Sequence, residues 1–336
     1  MANTSTGGSD RPDLPDLARG AIKTWNRVQK LTLRPQARAE DWSLLALRGA
    51  GAGRRVVLRL RRNVGPDLAV KMRPALGLRA YAEQVIAHRR FARLLDRSSC
   101  ARAPALAGFH PLARLIAVEF VEGDLALDRV VASRHSPDRG LTVLADACRW
   151  VEGVGRVVPS RTRQWDGRLG RLRLKEVRER APDLAGDAMP ARLLGALERQ
   201  LERRTGTRVE VRLVHGDFHL RNLIFGQDKT VWGLDFDRLR KAPQEYDLAR
   251  VVTHFLLLAG PVEESEMQGW LERDMSRVLS ASGLETDRGL LDLFMGMDTI
   301  VLWGDLARQG DRAGPGAKHR YARARALAQV MVNRLS

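Results

Sequence analysis

Five polar side chains, His215, Asp217, His219, Arg221 and Asn222, fall within eight positions of the stretch "LVHGDFHLRNLIF" (residues 213–225). Apolar runs flank them, Leu213-Val214 before and Leu223-Ile224-Phe225 after, and both read as buried strands. Asp235 lies thirteen positions beyond Asn222, across a strand, a turn at Gly226-Gln227-Asp228 and a second strand. A hairpin there would return Asp235 to the side of the loop. Two carboxylates and one amide oxygen would then surround a single point. Magnesium takes hard oxygen ligands of this kind, few of them from protein and the rest from water and phosphate. Asn222 and Asp235 suit the metal, which leaves Asp217 to accept a proton from an attacking hydroxyl. The chemistry that fits is phosphoryl transfer, which depends mainly on positioning and charge neutralisation.

A nucleotide site makes further demands upstream. Lys71, at the end of "LAVK", is a strand lysine that could reach phosphates, and Glu83, twelve positions later on a helical stretch, is a carboxylate that could hold it. The segment "GAGAG" (49–53), with Gly51 and Gly53, offers a turn whose backbone N–H groups can approach phosphate. Residues Glu119 to Val121 would supply backbone groups for adenine.

The set "VHGDFHLRN", "LDFD" and "EYDLA" closely resembles the aminoglycoside phosphotransferase and choline kinase superfamily, which shares the protein-kinase-like fold. Its signature is His-Gly-Asp, four residues, Asn, then Asp-X-Asp/Glu some thirteen residues later. Here it is carried by His215, Gly216, Asp217, Asn222, Asp235 and Asp237. The resemblance spans roughly residues 42–260. It implies that Asp217 is the catalytic base, Asn222 a magnesium ligand and Asp235 the main metal ligand bridging the nucleotide phosphates. Lys71 would contact those phosphates, oriented by Glu83. His219 stands where protein kinases keep a lysine that touches the transferred phosphate, and Asp237 is a second acid that either approaches the metal or anchors backbone. His215 would brace the loop, and Asp247 would tether it at a helix start. The glycine segment departs from the protein-kinase pattern, and "LDFD" lacks that family's glycine. A protein kinase with a switchable activation loop is therefore not expected.

The elements that must position these residues follow from patterning. Strands are expected at 42–48, 54–62, 68–72 and 113–121, with a helix at 78–97 free of Gly and Pro. Helices at 141–158 and 191–204 precede the short strands at 208–216 and 223–236. The remainder, 247–259, 267–281, 289–307 and 317–335, has helical periodicity. The expected fold class is α+β and bilobal: an irregular segment over 1–30, a β-rich nucleotide-binding N-lobe over 31–121, and a helical C-lobe over 122–336 carrying the catalytic loop, metal site and acceptor site.

Composition bounds the rest. The 336 residues are 44% hydrophobic and 29% charged, which suits a globular chain with a sizeable core. No apolar run of 18 residues or more is present, the start lacks a secretory pattern, and two cysteines make no disulfide framework. A reducing cytoplasm is the expected location. Fifty-seven Lys and Arg against 40 Asp and Glu give +17, a field that favours anionic partners. No RNA-binding signature accompanies it, so no nucleic acid is expected; contact with an acidic membrane surface is left open. The expected cofactors are ATP, with GTP as the alternative, and Mg2+, and the expected partner is a small hydroxyl-bearing acceptor. Aminoglycosides, amino alcohols and sugars all suit the resemblance, while the charge favours an anionic cell-envelope sugar or glycolipid. A catalytically silent nucleotide-binding regulator is the reading from another class. Glu263, Glu264 and Glu266 could grip a cationic acceptor, but read more simply as a solvated helix start. Trp270, Trp303 and Tyr321 could cage a quaternary ammonium, but read more simply as helix packing. The basic stretch 161–180 reads as a mobile solvated insertion.

Overall fold

Alternation in "RVVLRL" sets the first sheet. Val56, Leu58 and Leu60 point inward from Arg55–Leu60 (β2), and Leu68, Val70 and Met72 do so from Leu68–Met72 (β3). The computed structural model describes residues 14–31, 37–48, 54–133, 135–310 and 316–336. They divide into two compact units, Met1–Val85 with Ala105–Phe120, and Ile86–Pro104 with Val121–Ser336.

In the first unit β2 and β3 join Trp42–Arg48 (β1), Leu106–His110 (β5) and Leu115–Glu119 (β6) in the order β1-β2-β3-β6-β5, antiparallel throughout. The turn between β2 and β3 uses Gly65 at φ 79°, and the Asp67 carboxylate accepts from Arg62 N (3.0 Å) and Arg59 Nε (2.8 Å). The apolar face is covered by a helix, Asp16–Leu31 (α1), whose Ala18, Ala21 and Trp25 are buried against it. This corrects, for residues 16–30, the expectation of a disordered or irregular segment over 1–30. A short stripe of small residues and one tryptophan is enough where a sheet face needs a cover. The helix Leu78–Leu95 (α2) begins in this unit and continues into the second. Accordingly residues 86–104, expected in the N-lobe, belong by packing to the second unit.

The second unit carries two small sheets and most of the helices. Ala101–Arg102 (β4), Val231–Gly233 (β11), Leu223–Gly226 (β10) and Gly123–Leu125 (β7) form one, in the order β4-β11-β10-β7. Arg240–Ala242 (β12), Arg208–Val214 (β9) and Arg161–Gln164 (β8) form the other. Around them lie Ala126–Ala132 (α3), Pro137–Val157 (α4), Arg168–Arg180 (α5), Met189–Arg204 (α6), Glu245–Ala259 (α7), Glu264–Ser282 (α8), Arg288–Gln309 (α9) and Ala317–Leu335 (α10). One core runs through this unit, with Trp150, Phe218, Phe236, Phe294 and Trp303 almost or wholly buried. The basic stretch 161–180 is thus built in rather than a mobile insertion: it forms β8 and α5, and Gly170, Leu174 and Val177 are buried. Arg173 is buried too, paired with acids. Trp270 and Trp303 are also buried, tilted against Phe255 and edge-on to Tyr321 respectively, so helix packing accounts for them. No helix among the described residues is long and apolar enough to cross a membrane.

Candidate active site

The polar loop rests on an aromatic bed. Phe218 stacks on Trp150 with centroids 4.9 Å apart, Phe236 stacks on Phe91 at 4.4 Å, and the His215 ring lies 4.6 Å from Phe236. Trp150 is fixed by its Nε1, which donates to Arg102 O at 3.0 Å. It also leaves no room beside the hairpin: a Cβ on Gly233 would come within 2.6 Å of its ring. Phe218 and Phe236 thus anchor the residues that follow Asp217 and Asp235 in the chain.

His215 is 2% exposed. Its Nε2 lies 2.7 Å from Leu234 O and its Nδ1 accepts from Asp217 N at 3.3 Å, which together define the neutral tautomer protonated on Nε2. Burial pushes this imidazole down to about 4, against the pull of the Asp217 carboxylate. Being neutral and enclosed, it joins the loop to the strand before Asp235 and does not carry protons. Asp247, near the start of α7, accepts from His215 N (2.6 Å) and Gly216 N (2.9 Å). Burial raises its carboxyl to about 7, while those two N–H groups favour the charged form. Gly216, at φ 85°, occupies a backbone region where a side chain would be strained.

Within this buried frame the Asp217 side chain remains 36% exposed. Its Oδ1 lies 3.1 Å from Arg250 Nη2, and its Oδ2 lies 3.5 Å from His219 Nε2. Burial alone would raise this carboxyl, but the His219 hydrogen bond and the charge of Arg250 outweigh it. The carboxyl is held well below the usual carboxylate range.

Asn222 is buried, and its Nδ2 donates to Asp217 O (3.0 Å) and faces Asp217 Oδ2 (3.4 Å). Both partners are acceptors, so the NH2 must face them and the amide oxygen points the other way. The hairpin brings Asp235 alongside: Leu223 pairs with Gly233, and Leu234 N donates to Asn222 O at 2.8 Å. Asp235 has φ 58°, a left-handed conformation that is uncommon outside glycine and that aspartate tolerates better than most residues. An amide oxygen and a partly exposed carboxylate on adjoining turns are the donor types that Mg2+ accepts, so these residues fit the metal. Asp237 is exposed, two positions further on.

The other expected site residues lie in or near the first unit. Lys71 is on β3, opposite Val57 and Ile116. Glu83, on α2, has its ion-pair partner in Arg79, 3.1 Å away one turn earlier, so the expected hold on Lys71 has a local competitor. Glu119 closes β6: its N donates to Ala105 O at 2.9 Å and its Oε2 accepts from Ala105 N at 3.4 Å. Val121 is buried and belongs to the second unit. Gly51 and Gly53 lie outside the described residues.

Sequence reading missed Arg250 and His254, both on α7. The rings of His219 and His254 are 5.6 Å apart, and the Nδ1 of each is buried with no hydrogen-bond partner among the described residues. Burial, reinforced by the positive Arg221 and Arg250, pushes His254 down to about 3. The one available signal was spacing: Arg250 and His254 follow Asp247 by three and seven positions, on the same face of a helix.

The profile described as the phosphotransferase enzyme family matches residues 10–278. No curated protein matches the sequence. Among solved structures, a choline/ethanolamine kinase family protein from Mesorhizobium loti aligns at 14% identity and TM-score 0.55, covering 94% of this chain and 99% of that one. A spectinomycin phosphotransferase, solved with ADP and spectinomycin, aligns at 12% and 0.56, covering 92% and 97%. An amicoumacin kinase, solved with AMP-PNP, Ca2+ and Ami, aligns at 14% and 0.55, covering 96% of each chain. At such identities the likeness is one of fold: α+β, strand-rich at the N-terminal end and helical towards the C-terminus.

Proposed function

Because this chain belongs to the phosphotransferase enzyme family, we propose that it is an ATP-dependent kinase that moves the γ-phosphate to a hydroxyl of a small molecule. The observation that carries this reading is the contrast within one loop. His215, Asn222 and Asp247 are buried and hydrogen-bonded, and what they hold up is the partly exposed carboxylate of Asp217. A fold that encloses three polar groups to present a fourth is arranged for positioning.

In the reaction, the acceptor oxygen forms a bond to the γ-phosphorus while the bond from that phosphorus to the β–γ bridging oxygen breaks, and ADP leaves. The hydroxyl proton passes to Asp217. A carboxylate held below its usual range is a weak base, so it acts first as the hydrogen-bond acceptor that aims the hydroxyl. It takes the proton late, when the P–O bond has largely formed, in keeping with a loose transition state. Asn222 and Asp235 would hold Mg2+, with Asp237 beside them; the ion supplies charge neutralisation at the phosphates. Lys71 would contact those phosphates, oriented by Glu83 in competition with Arg79. Glu119 and Val121 would offer backbone groups to the base, as Gly51 and Gly53 would to phosphate. His219, whose Nε2 lies 3.5 Å from Asp217 Oδ2, would support the transferred phosphate.

A second reading concerns the acceptor. The net charge of +17 favours anionic partners. That charge supports an acidic or phosphorylated sugar over a polycationic aminoglycoside. The test is nucleotide consumption with Mg2+ and pooled acceptors (aminoglycosides, amino alcohols, neutral sugars, acidic sugars), with Asp217→Asn as control. Stimulation by one pool, lost in the variant, supports the kinase and identifies the acceptor class. Nucleotide binding without stimulation by any pool would favour the silent regulator, and absence of nucleotide binding would refute the reading.

A further inference from the structure

The described residues contain one buried charge network that the proposed reaction does not account for. It starts at the carboxylate of Asp217. Arg250 Nη2 lies 3.1 Å from Asp217 Oδ1, and Arg250 Nη1 lies 3.2 Å from Asp298 Oδ1. Asp298, on α9, is also paired with Arg173 Nη2 on α5, and Arg173 Nη1 pairs with Glu176. The exposures decide what such a chain can do. The Asp298 side chain is 5% exposed, Arg173 10% and Arg250 20%, against 36% for Asp217. The network is therefore most enclosed at its middle, at Asp298, and reaches solvent at both ends, at Asp217 and at Glu176, which is 37% exposed. Alternation of sign lets it be buried: each guanidinium lies between two acids, and Asp298 lies between two guanidinium groups.

The same helix reaches the loop twice. Asp247 takes the backbone N–H groups of His215 and Gly216, and Arg250, three residues later on the same face of α7, takes the side chain of Asp217. One contact fixes where the loop is; the other fixes how its carboxylate is turned. The two carboxylate oxygens are thereby distinguished. Oδ1 faces Arg250, while Oδ2 lies towards His219 Nε2 (3.5 Å) and Asn222 Nδ2 (3.4 Å), on the side where the proposed metal ligand lies.

We propose that Arg250 is a positioning residue for phosphoryl transfer: it ties Oδ1 of Asp217 so that Oδ2 is presented to the acceptor hydroxyl. Asp298, held by Arg173, fixes Arg250 in turn. This rests on the kinase reading for its chemistry but not for its geometry. Arg250 touches neither the acceptor nor the nucleotide in this role; it acts through Asp217, and helices α9 and α5 act through it. A lysine cannot reproduce the effect, because a single ammonium cannot bridge two carboxylates on opposite sides as a planar guanidinium does.

The experiment uses the full chain with Arg250→Gln, Arg250→Lys and Asp298→Asn. Two readouts are taken: the crystallographic rotamer of Asp217, and kcat with KM for ATP under the acceptor pool that stimulates the wild type. Expected are a rotated or disordered Asp217 carboxylate in Arg250→Gln and a kcat lower by about 100-fold, the loss that a misplacement of about 1 Å can cause. KM for ATP should stay within about twofold, and added guanidinium should recover part of the loss, outcomes that a general loss of folding would not produce. Arg250→Lys should fall between wild type and Arg250→Gln. An unmoved Asp217 in Arg250→Gln overturns the proposal whatever the rate does, because a slow enzyme with an undisturbed base would mean that Arg250 acts on substrate directly. A rotated Asp217 with unchanged kcat overturns it equally. Should Arg250→Gln fail to fold, Asp298→Asn carries the same two tests from one contact further away, with Arg173 still held by Glu176. A wild-type chain that consumes no nucleotide with any pool refutes the kinase reading separately, and the rotamer comparison then decides the positional claim.

Discussion

His215 and Asp217 are two residues apart, yet the fold treats them in opposite ways. His215 is enclosed and neutral, pushed by burial from 6.5 to about 4. Between those values the unfolded chain carries a proton that the folded chain does not, so this residue's contribution makes stability fall as pH drops through the window. His215→Asn should be less stable at neutral pH by about 2–3 kcal/mol, having lost a hydrogen-bonded buried brace. The gap to wild type should then narrow by about 1.4 kcal/mol per pH unit below pH 6.5 and close before the pH falls to about 4. Urea unfolding of both proteins across pH 4–7 checks this, and a constant gap would contradict it. Asp247, raised by burial to about 7, has the opposite sign over much of that range and is common to both proteins, so the difference isolates the histidine. Asp217 has the converse role. Asp217→Asn keeps its shape and hydrogen bonds to the loop, so nucleotide binding should persist while turnover falls by about 10²–10⁴-fold, the usual range for a positioned general base. Isothermal titration with nucleotide beside a turnover assay separates the two effects. At this scale Asp217, Asn222 and Asp235 were legible because loop and hairpin place them by short-range geometry. Arg250 was not, because its partner Asp298 is contributed by another helix.

At the scale of elements, the hairpin that carries Asp235 depends on a glycine. A Cβ at Gly233 would meet the Trp150 ring at 2.6 Å, and that ring is stacked on Phe218 and bonded to Arg102 O, so it cannot yield cheaply. Gly233→Ala should cost about 1–3 kcal/mol, as overpacking of a tight core does. It should also reduce turnover more than a mutation of equal cost placed far from the loop, for example at α10; melting curves and kcat on both variants make the comparison. The helix α1 poses a different problem. Its sequence "DLARGAIKTWNRVQKL" is polar, includes Gly20 and follows the proline-containing segment 11–15, and it was read as irregular. Its buried stripe is narrow, and Trp25 is nearly all of its bulk, packed so closely that a Cβ on Gly108 of β5 would come within 3.0 Å of the indole. Trp25→Ala should destabilise the first unit by about 3–5 kcal/mol. Hydrogen exchange would then show lost protection in β2, β3 and β5, and unchanged protection there would mean that α1 is not their cover.

Over the whole molecule, the excess of positive charge is a property of the sequence that the structure partly disperses. Many arginines face acids one helical turn away, as Arg19 does Asp16, Arg79 does Glu83 and Arg156 does Glu152. Exposed pairs of that kind add little stability. The net +17 is not cancelled by them, and its effect is on association. Nucleotide affinity should weaken several-fold between about 50 and 300 mM salt, as screening shortens the reach of that field. A binding isotherm insensitive to salt would leave the charge without a role at the nucleotide site. If the acceptor is anionic, its KM should share the trend; a neutral acceptor should not.

What the sequence by itself determined was chemistry of short range. The motif residues of loop and hairpin lie within 23 positions of one another, from His215 to Asp237, and strand patterning alone returns one acid beside the other. The strands of the first sheet were legible for the same reason, since alternation is a local signal with one geometric meaning. What only the tertiary structure decided depended on partners distant in the chain. α1 became a helix because a sheet face needed covering. The stretch 161–180 became an ordered strand and helix because β9 pairs with the strand and α9 packs against the helix. Arg250 acquired a place beside Asp217 because α7 docks against the loop and α9 together. Spacing along a chain encodes contacts within a turn or a hairpin; a guanidinium held between two carboxylates, one 33 and the other 48 positions away, is specified only by packing.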